Sequence, residues 1–305
     1  MAANTKPSFE FNNQIAPRYI DPLFMQIEPE LWYSTSELQT LLRRSGLDIQ
    51  GKDIVLLNAR AWALIGLGET RLEKQGRSTV RFFKLSKFGQ YARLLYSTNP
   101  ELFFDLIHYC FYTAWPTTEN LKFARFWLYW RVCNELWEIA PSPMDSSGLT
   151  NRLQQESHIS FPDQKPSFPE RSVRGIFPWL VSLSPPFLFK TDNKGTLHSS
   201  RRNHCSPQLF HLATDLVLRD EHLSYGTSMT VGESQIVATC RICLLDTDRY
   251  WSMAELTGLS IREFEIKRSQ WGRSIVLSGP PSWIDFPNLA IGETRDETAS
   301  EEEDV

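Results

Sequence analysis

A glycine turn between two β-forming runs is the feature that most restricts how this chain can fold. The stretch RLEKQGRSTVRFFKLSKFG, residues 71–89, places six basic side chains and one acidic one around Gly76. Val80, Phe82 and Phe83 favour an extended backbone, and glycine permits the tight turn that a two-stranded hairpin needs. The stretch therefore predicts a positively charged β-hairpin, such as the wing of a winged-helix unit.

This basic hairpin belongs to a chain that is acidic overall. The formal net charge of the 305 residues is −4, and the segment from Glu293 onward contributes −6, so the rest carries about +2. The tail, residues 288–305, has no apolar pattern and is predicted to be disordered. No apolar run is long enough to span a membrane, and the N-terminus has no signal pattern. We therefore expect a cytoplasmic protein with no membrane partner.

Composition divides the chain into six segments. They are an N-terminal arm (1–30), a winged-helix unit (31–96), a helical hairpin (97–140), a connector with a packed segment (141–206), a second winged-helix-like unit (207–287) and the tail (288–305). In the helical hairpin, large apolar side chains recur at helical spacing, which predicts a core rather than a base-stacking platform. They are Phe123, Phe126, Trp127, Trp130 and Leu136. The predicted fold is mainly α with short β-hairpins, with two winged helix-turn-helix units around an aromatic helical bundle.

Two pairs of similar short stretches, which we call the sequence echoes, indicate that the winged unit is duplicated. WYSTSEL at 32–38 resembles YWSMAEL at 250–256, and GRSTV at 76–80 resembles GRSIV at 272–276, in the same order. The first pair predicts a helix start with a capping box in each copy, because Ser and Glu are three residues apart. The second pair predicts a hairpin with an arginine at its tip. Chance similarity is the alternative, since the spacing between the echoes differs between the copies.

Each copy also contains a candidate for the DNA-facing helix. In the second copy, Ser260 would cap a helix from Ile261 to Gln270 that presents Arg262, Glu265 and Arg268 outward. In the first copy the candidate is residues 51–68, where Lys52, Asp53 and Arg60 cluster opposite the apolar positions. The alternative for this helix is a solvated amphipathic helix with no role in DNA binding.

The first copy resembles a bacterial domain-of-unknown-function family, the one numbered four thousand and seven, over residues 30–140. The stretches that resemble it are GKDIVLLNARAWALIGLG and LSKFGQYARLLYSTNPELFFDLIHYCFY. The matching positions are Gly51, Lys52, Val55, Arg60, Trp62, Gly66, Leu67, Gly89, Pro100 and Leu102. Asp53 replaces the Asn of the family, and Asn99 replaces its Asp. The resemblance implies a winged-helix protein encoded near DNA phosphorothioation or restriction systems, in a family without an established activity.

The basic residues of both copies form the predicted DNA-binding set. A winged helix contacts the major groove with its second helix, while the wing touches the backbone or the minor groove. Arg60 or Arg262 would contact guanine, Arg77 and Arg273 would lie at the wing tips, and Lys74, Arg81 and Lys84 would contact phosphate. The set is Lys52, Arg60, Lys74, Arg77, Arg81, Lys84, Arg262, Arg268 and Arg273. The predicted partners are double-stranded DNA and proteins of a DNA-modification or restriction complex. The alternative is an adaptor that uses the same fold to bind proteins.

The sequence offers little support for catalysis, and we predict neither an enzyme nor a cofactor. Nucleophile-elbow, phosphate-loop and His-Glu-x-x-His motifs are absent. Cys240 and Cys243 form a Cys-x-x-Cys pair, but the surrounding apolar run favours buried reduced thiols over a zinc site. A metal-dependent nuclease is a further alternative. In that hypothesis Glu263, Glu265 and Lys267 lie on a strand and position Mg²⁺ and water.

Overall fold

The computed structural model divides into two compact units, residues 1–200 and 201–305. Helices dominate, and the strands form small antiparallel sheets, as the sequence predicts. Within the described residues, no helix combines the length and the apolar character that a bilayer span requires. The structure describes residues 9, 11, 15–46, 53–76, 78–116, 123–162, 164, 166–191, 196–270 and 272–281.

The first unit contains a short strand, two helices and a hairpin in that order. They are β1 (Tyr33–Ser34), α1 (Thr35–Arg44), α2 (Asp53–Leu64), β2 (Gly68–Gln75) and β3 (Ser78–Leu85). Because β1 pairs with β3, the sheet order is β1-β3-β2. The predicted capping box is confirmed: Ser34 Oγ accepts from the Glu37 amide, and the Glu37 carboxylate accepts from the Ser34 amide.

The predicted basic hairpin is present as β2 and β3. Gln75 lies opposite Ser78, and the described residue that follows Gln75 in the turn is Gly76. Gly76 has a φ of 64°, a left-handed conformation that favours glycine. Arg77, predicted at this tip, and Lys52, predicted near the start of α2, lie outside the described residues.

Three helices follow the hairpin and form an aromatic core. They are α3 (Lys87–Thr98), α4 (Pro100–Thr113) and α5 (Ala124–Ile139). Asn99 caps α4 by accepting from the Leu102 amide at 3.1 Å. The predicted core residues of α5 are buried, except that Trp130 is half-buried. The rings of Phe111 and Phe126 stack at a centroid distance of 5.5 Å, so the helical hairpin is a packed core.

The described part of the N-terminal arm is folded rather than extended. It forms two short 3-10 helices, Pro17–Tyr19 and Phe24–Gln26. The rings of Phe24 and Trp62 lie 5.0 Å apart. Segments this short carry too few residues to show a helical period in the sequence.

The predicted connector contains several packed elements and a small sheet ordered β4-β6-β5. Its elements are β4 (Ser142–Pro143), α6 (Ser146–Ser160), α7 (Glu170–Arg174), α8 (Phe177–Val181), β5 (Leu188–Lys190) and β6 (Leu197–Ser199). The boundary between the compact units falls at the end of this region, after Ser200.

The second unit repeats the order of the first, with one helix added in front. Its elements are α9 (Pro207–Asp220), β7 (Ser228–Thr230), α10 (Glu233–Cys243), α11 (Tyr250–Ser260), β8 (Phe264–Ser269) and β9 (Gly272–Leu277). The short strand again pairs with the second strand of the hairpin, and the sheet order is β7-β9-β8. Each unit therefore has a strand, two helices and a hairpin joined in the same way.

The helix predicted from Ile261 to Gln270 is wrong, because most of that range forms β8. Phe264 is buried and Ile266 is half-buried, while Glu265 and Lys267 between them are exposed. This alternation has the period of two that a strand shows. Ser260 ends α11 instead of capping a new helix, and its hydroxyl donates to the Leu256 carbonyl.

The two sequence echoes do not lie at equivalent places in the two units. WYSTSEL spans β1 and the start of α1, whereas YWSMAEL lies within α11. Ser252 is inside that helix, so the second predicted capping box is wrong. Both GRS stretches lie on hairpins, but Gly76 is in a turn and Gly272 is the first residue of β9, opposite Ser269. The two units therefore share the order of their elements but not the positions of these residues.

Candidate nucleic-acid interface

The first hairpin has two faces, and they differ in how their charges are paired. Side chains alternate between faces along a strand, and directly opposed residues share a face. We call the face of Phe83 the inner face, because the Phe83 ring packs against Trp62 of α2. The centroids of the two rings are 6.0 Å apart. By this register Lys74 and Arg81 belong to the inner face, whereas Arg71 and Lys84 belong to the opposite, outer face.

Carboxylates and an indole ring compensate the basic residues of the outer face. Arg71 lies 2.8 Å from Glu73 and places its guanidinium 4.3 Å from the Trp32 ring. Lys84 lies 3.7 Å from Glu69, and its side chain is only 19% exposed. Lys84 also pairs with Glu30 at 3.7 Å. The structure thus places Lys84, predicted to contact phosphate, in ion pairs.

The Glu30 carboxylate also compensates positive charge on this face. Its pKa is lowered by a hydrogen bond from Gln90 and, next in size, by the charge of Lys84. Glu30 is therefore ionised at neutral pH and stabilises the ammonium of Lys84. The outer face as a whole offers little uncompensated positive charge.

The inner face, by contrast, carries positive charge that no carboxylate among the described residues balances. Arg81 is half-buried beside Arg60 of α2, and burial followed by the charge of Arg60 lowers the pKa of Arg81. Arg60 and Lys74 are exposed. Within the described part of the chain, Arg60, Lys74 and Arg81 form no ion pair. These three residues form what we call the inner cationic cluster.

Helix α2 supports this cluster, but it is mostly core. Ile54, Val55, Ala61 and Trp62 are buried, and Arg60 is the one fully exposed side chain among those that the structure describes on α2. This is an amphipathic helix with a narrow exposed face, and a DNA-facing role and a merely solvated one both stay predictions.

The hairpin of the second unit has basic residues at a similar place, but they are paired. Arg268 and Arg273 are opposite each other on the face that carries Phe264 and Ile275. Glu255 of α11 lies 2.7 Å from Arg268 and 3.7 Å from Arg273. Two of the predicted DNA-binding residues therefore already share a carboxylate. We call this arrangement the Glu255 clamp.

The exposed surface of α11 is not basic. Its sequence YWSMAELTGLS contains one charged residue, Glu255, and its exposed apolar residues are Leu256 (45%) and Leu259 (88%). Arg262 is exposed in the turn after α11 and forms no ion pair within the described residues. The two units thus share an order of elements but present different chemistry.

The cysteines of the second unit are buried free thiols, as the sequence predicts. Burial raises the pKa of Cys240 well above its usual range. Across the ranges that the structure describes, no group of three or more His, Cys, Asp or Glu is arranged to hold a metal ion. Glu265 and Lys267 do lie on a strand, as the nuclease hypothesis requires, but they pair with each other at 3.8 Å.

Comparisons with known proteins identify a similar fold. No protein-family profile matches the chain, and no curated protein does. A crystal structure of SspB aligns over 91% of this chain and 82% of its own, with a TM-score of 0.54 and 12% identity. A magnesium-bound SspB crystal structure aligns over the same shares, with a TM-score of 0.55 and 13% identity. At such identity the likeness concerns the fold alone.

Proposed function

We propose that this chain is a non-catalytic DNA-binding protein, an accessory or regulator of a prokaryotic DNA-modification or restriction system. Each unit acts as a winged helix-turn-helix module. The inner cationic cluster of the first unit contacts the phosphate backbone of double-stranded DNA. The observation that carries the proposal is the absence of a carboxylate partner for Arg60, Lys74 and Arg81 within the described residues.

The order of elements supports the winged-helix proposal. A winged helix places a hairpin after the second helix of a helix-turn-helix, and the described elements of both units follow that order. Phosphate contacts from Arg and Lys position a protein on DNA without selecting a sequence. Because α2 exposes little beyond Arg60, we infer that affinity depends on the backbone more than on base contacts.

The biological setting is proposed from the resemblance of residues 30–140 to the domain-of-unknown-function family. That resemblance implies genes near DNA phosphorothioation or restriction systems. The regulator would then recruit or restrain partner proteins on DNA from a cytoplasmic location.

A titration of labelled duplex DNA at several salt concentrations tests this function. Each phosphate neutralised by the protein adds about −0.9 to the slope of log K against log salt. We expect a slope of about −3 or steeper, because three free cations face the DNA. No binding, or an affinity that does not change with salt concentration, would contradict the proposal.

A second candidate function is that of a protein-binding adaptor, and α11 is the observation that favours it. In a helix that would face DNA, exposed Leu256 and Leu259 and the acidic Glu255 are poor phosphate ligands. A module with this surface suits a protein partner better. Pull-down with a Leu256→Ser/Leu259→Ser variant tests the adaptor. Partners that the wild type retains and the variant loses would support it.

The nuclease is the competing enzymatic proposal. Incubating plasmid DNA with the protein in Mg²⁺ or Mn²⁺ tests it, with Glu265→Ala as the matched variant. If the wild type cuts the plasmid and the variant does not, the nuclease proposal replaces the non-catalytic one. If the plasmid stays intact, the nuclease proposal is rejected.

A further inference from the structure

A cavity of about 870 Å³ opens on the first unit, between the N-terminal segment, α7, α8, β5 and β6. Four cationic side chains line it: Arg18, Arg171, Arg174 and Lys190. Glu170 is its one acidic lining residue. The cavity therefore combines a mostly apolar wall with a net positive charge that the proposed DNA contact does not use.

The cations of this cavity, which include Arg171, Arg174 and Lys190, are exposed. Arg171 and Arg174 are three residues apart on α7, so they lie on the same side of the helix. Neither these arginines nor Lys190 forms a hydrogen bond or ion pair from its side chain within the described residues. The Glu170 carboxylate already accepts a hydrogen bond from Ser146. These three cations are thus uncompensated within the described residues.

The apolar part of the cavity is held in place by the packed core beneath it. Ala16 and Phe177 are 4% and 5% exposed, and Val181 is 44% exposed. The Trp179 indole donates to the Ile15 carbonyl at 3.0 Å, which fixes α8 against the N-terminal segment. Arg18 donates to the Tyr19 hydroxyl at 2.9 Å. The walls are preformed, as is usual for small-molecule sites.

We infer that this cavity binds a nucleoside di- or triphosphate. Guanidinium groups bind phosphate through two parallel hydrogen bonds, and Arg171 and Arg174 are placed to do so together. The accessible apolar surface of Pro178 and Val181 would receive the base. The volume falls within the range of small-ligand pockets. An extended polypeptide would instead need a longer groove.

Calorimetric titration with ATP, inorganic pyrophosphate and adenosine tests the inference on the full chain. We expect ATP to bind more tightly than pyrophosphate, because the base adds apolar contact. Adenosine is expected to bind most weakly, since it lacks the charge that the arginines recognise. Pyrophosphate binding as tightly as ATP, or no binding of ATP, would overturn the inference.

Charge variants locate the site. Arg171→Glu/Arg174→Glu is expected to weaken ATP binding by about tenfold or more. Arg43→Glu/Arg44→Glu makes the same charge change on exposed residues at the end of α1 and is expected to leave ATP binding unchanged. Equal losses in both variants would mean non-specific attraction and would refute the site.

The inference stands apart from DNA binding. An Arg60→Ala/Arg81→Ala variant is expected to bind ATP as the wild type does. Loss of ATP binding in that variant would place the nucleotide at the inner cationic cluster and would overturn the assignment to this cavity.

Discussion

Arg60 on α2 lies close enough to Arg81 on β3 for its charge to lower the pKa of Arg81. Two like charges at this range oppose each other, and half-burial of Arg81 adds to the cost. In the second unit the helix before the hairpin instead supplies Glu255, which pairs with Arg268. This contrast is why we place the proposed DNA contact in the first unit.

Reversing the charge of Arg60 should separate stability from DNA binding. Arg60→Glu puts a carboxylate beside Arg81 and removes the repulsion. We expect a free energy of unfolding that is unchanged or higher by up to about 1 kcal/mol. DNA affinity should fall by about tenfold or more, because one phosphate contact is lost and a negative charge faces the backbone. Urea unfolding and fluorescence anisotropy measure the two quantities, and a parallel loss of both would contradict this account.

Reversing the charge of Glu255 should have the opposite effect on DNA binding. Glu255→Arg opens the Glu255 clamp and leaves Arg268 and Arg273 uncompensated. We expect tighter DNA binding and a salt slope steeper by about 1 to 3. Glu233→Arg is the matched control, because it makes the same charge change on an exposed residue of α10 that forms no ion pair within the described residues. Equal gains in the two variants would show that overall charge, rather than the clamp, controls binding.

Gly89 marks a close backbone approach that tolerates no side chain. A Cβ at this position would lie 1.8 Å from the Leu67 carbonyl oxygen. Gly89→Ala should therefore lower the free energy of unfolding by at least about 2 kcal/mol. Gly279→Ala is the control, because no atom lies within 4 Å of its Cβ position. An unchanged unfolding midpoint for Gly89→Ala would show that α3 shifts freely.

His211 should make the second unit less stable in mild acid. Burial lowers the pKa of His211 from 6.5 to about 4, with a smaller opposing effect from Glu263. As the pH falls, His211 therefore takes up a proton at a higher pH in the unfolded chain than in the folded chain. His211 thus contributes stability that is fully present above about pH 6.5 and is lost as the pH falls to about 4. Over this range the free energy of unfolding should fall by about 3 kcal/mol.

The comparison with His211→Gln isolates this residue. Urea unfolding of both proteins should show a difference in stability that shrinks as the pH falls through this window. Asp215 has a raised pKa because of burial and titrates in both proteins, so its contribution cancels. A difference that is the same at pH 7 and at pH 4 would contradict the assignment.

Local signals in the sequence predicted the local structure well. The turn at Gly76 and the capping box of Ser34 and Glu37 depend on residues within a few positions of one another, and both are present. The same Ser and Glu spacing at Ser252 and Glu255 gave a wrong prediction. There the chain already turns at Asp246, whose side chain accepts from the Asp248 amide before α11 begins.

The charge pairing of the site could not be predicted from the sequence. Whether Lys84 is free depends on Glu30, which is distant along the chain and reaches it only in the folded unit. The separation of the inner and outer faces follows from the register of β2 and β3, and one glycine signal does not fix that register. The packed N-terminal segment escaped prediction because it has no regular period.

The most direct measurement of the central claim compares two double variants by the salt dependence of duplex binding. Arg60→Ala/Arg81→Ala removes two cations of the inner cationic cluster, and Arg268→Ala/Arg273→Ala removes the two that Glu255 pairs. We predict that the first variant makes the slope of log K against log salt shallower by about 2. The second should leave the slope close to that of the wild type. A shallower slope in the second variant only, or an equal change in both, would contradict the assignment of DNA contact to the first unit.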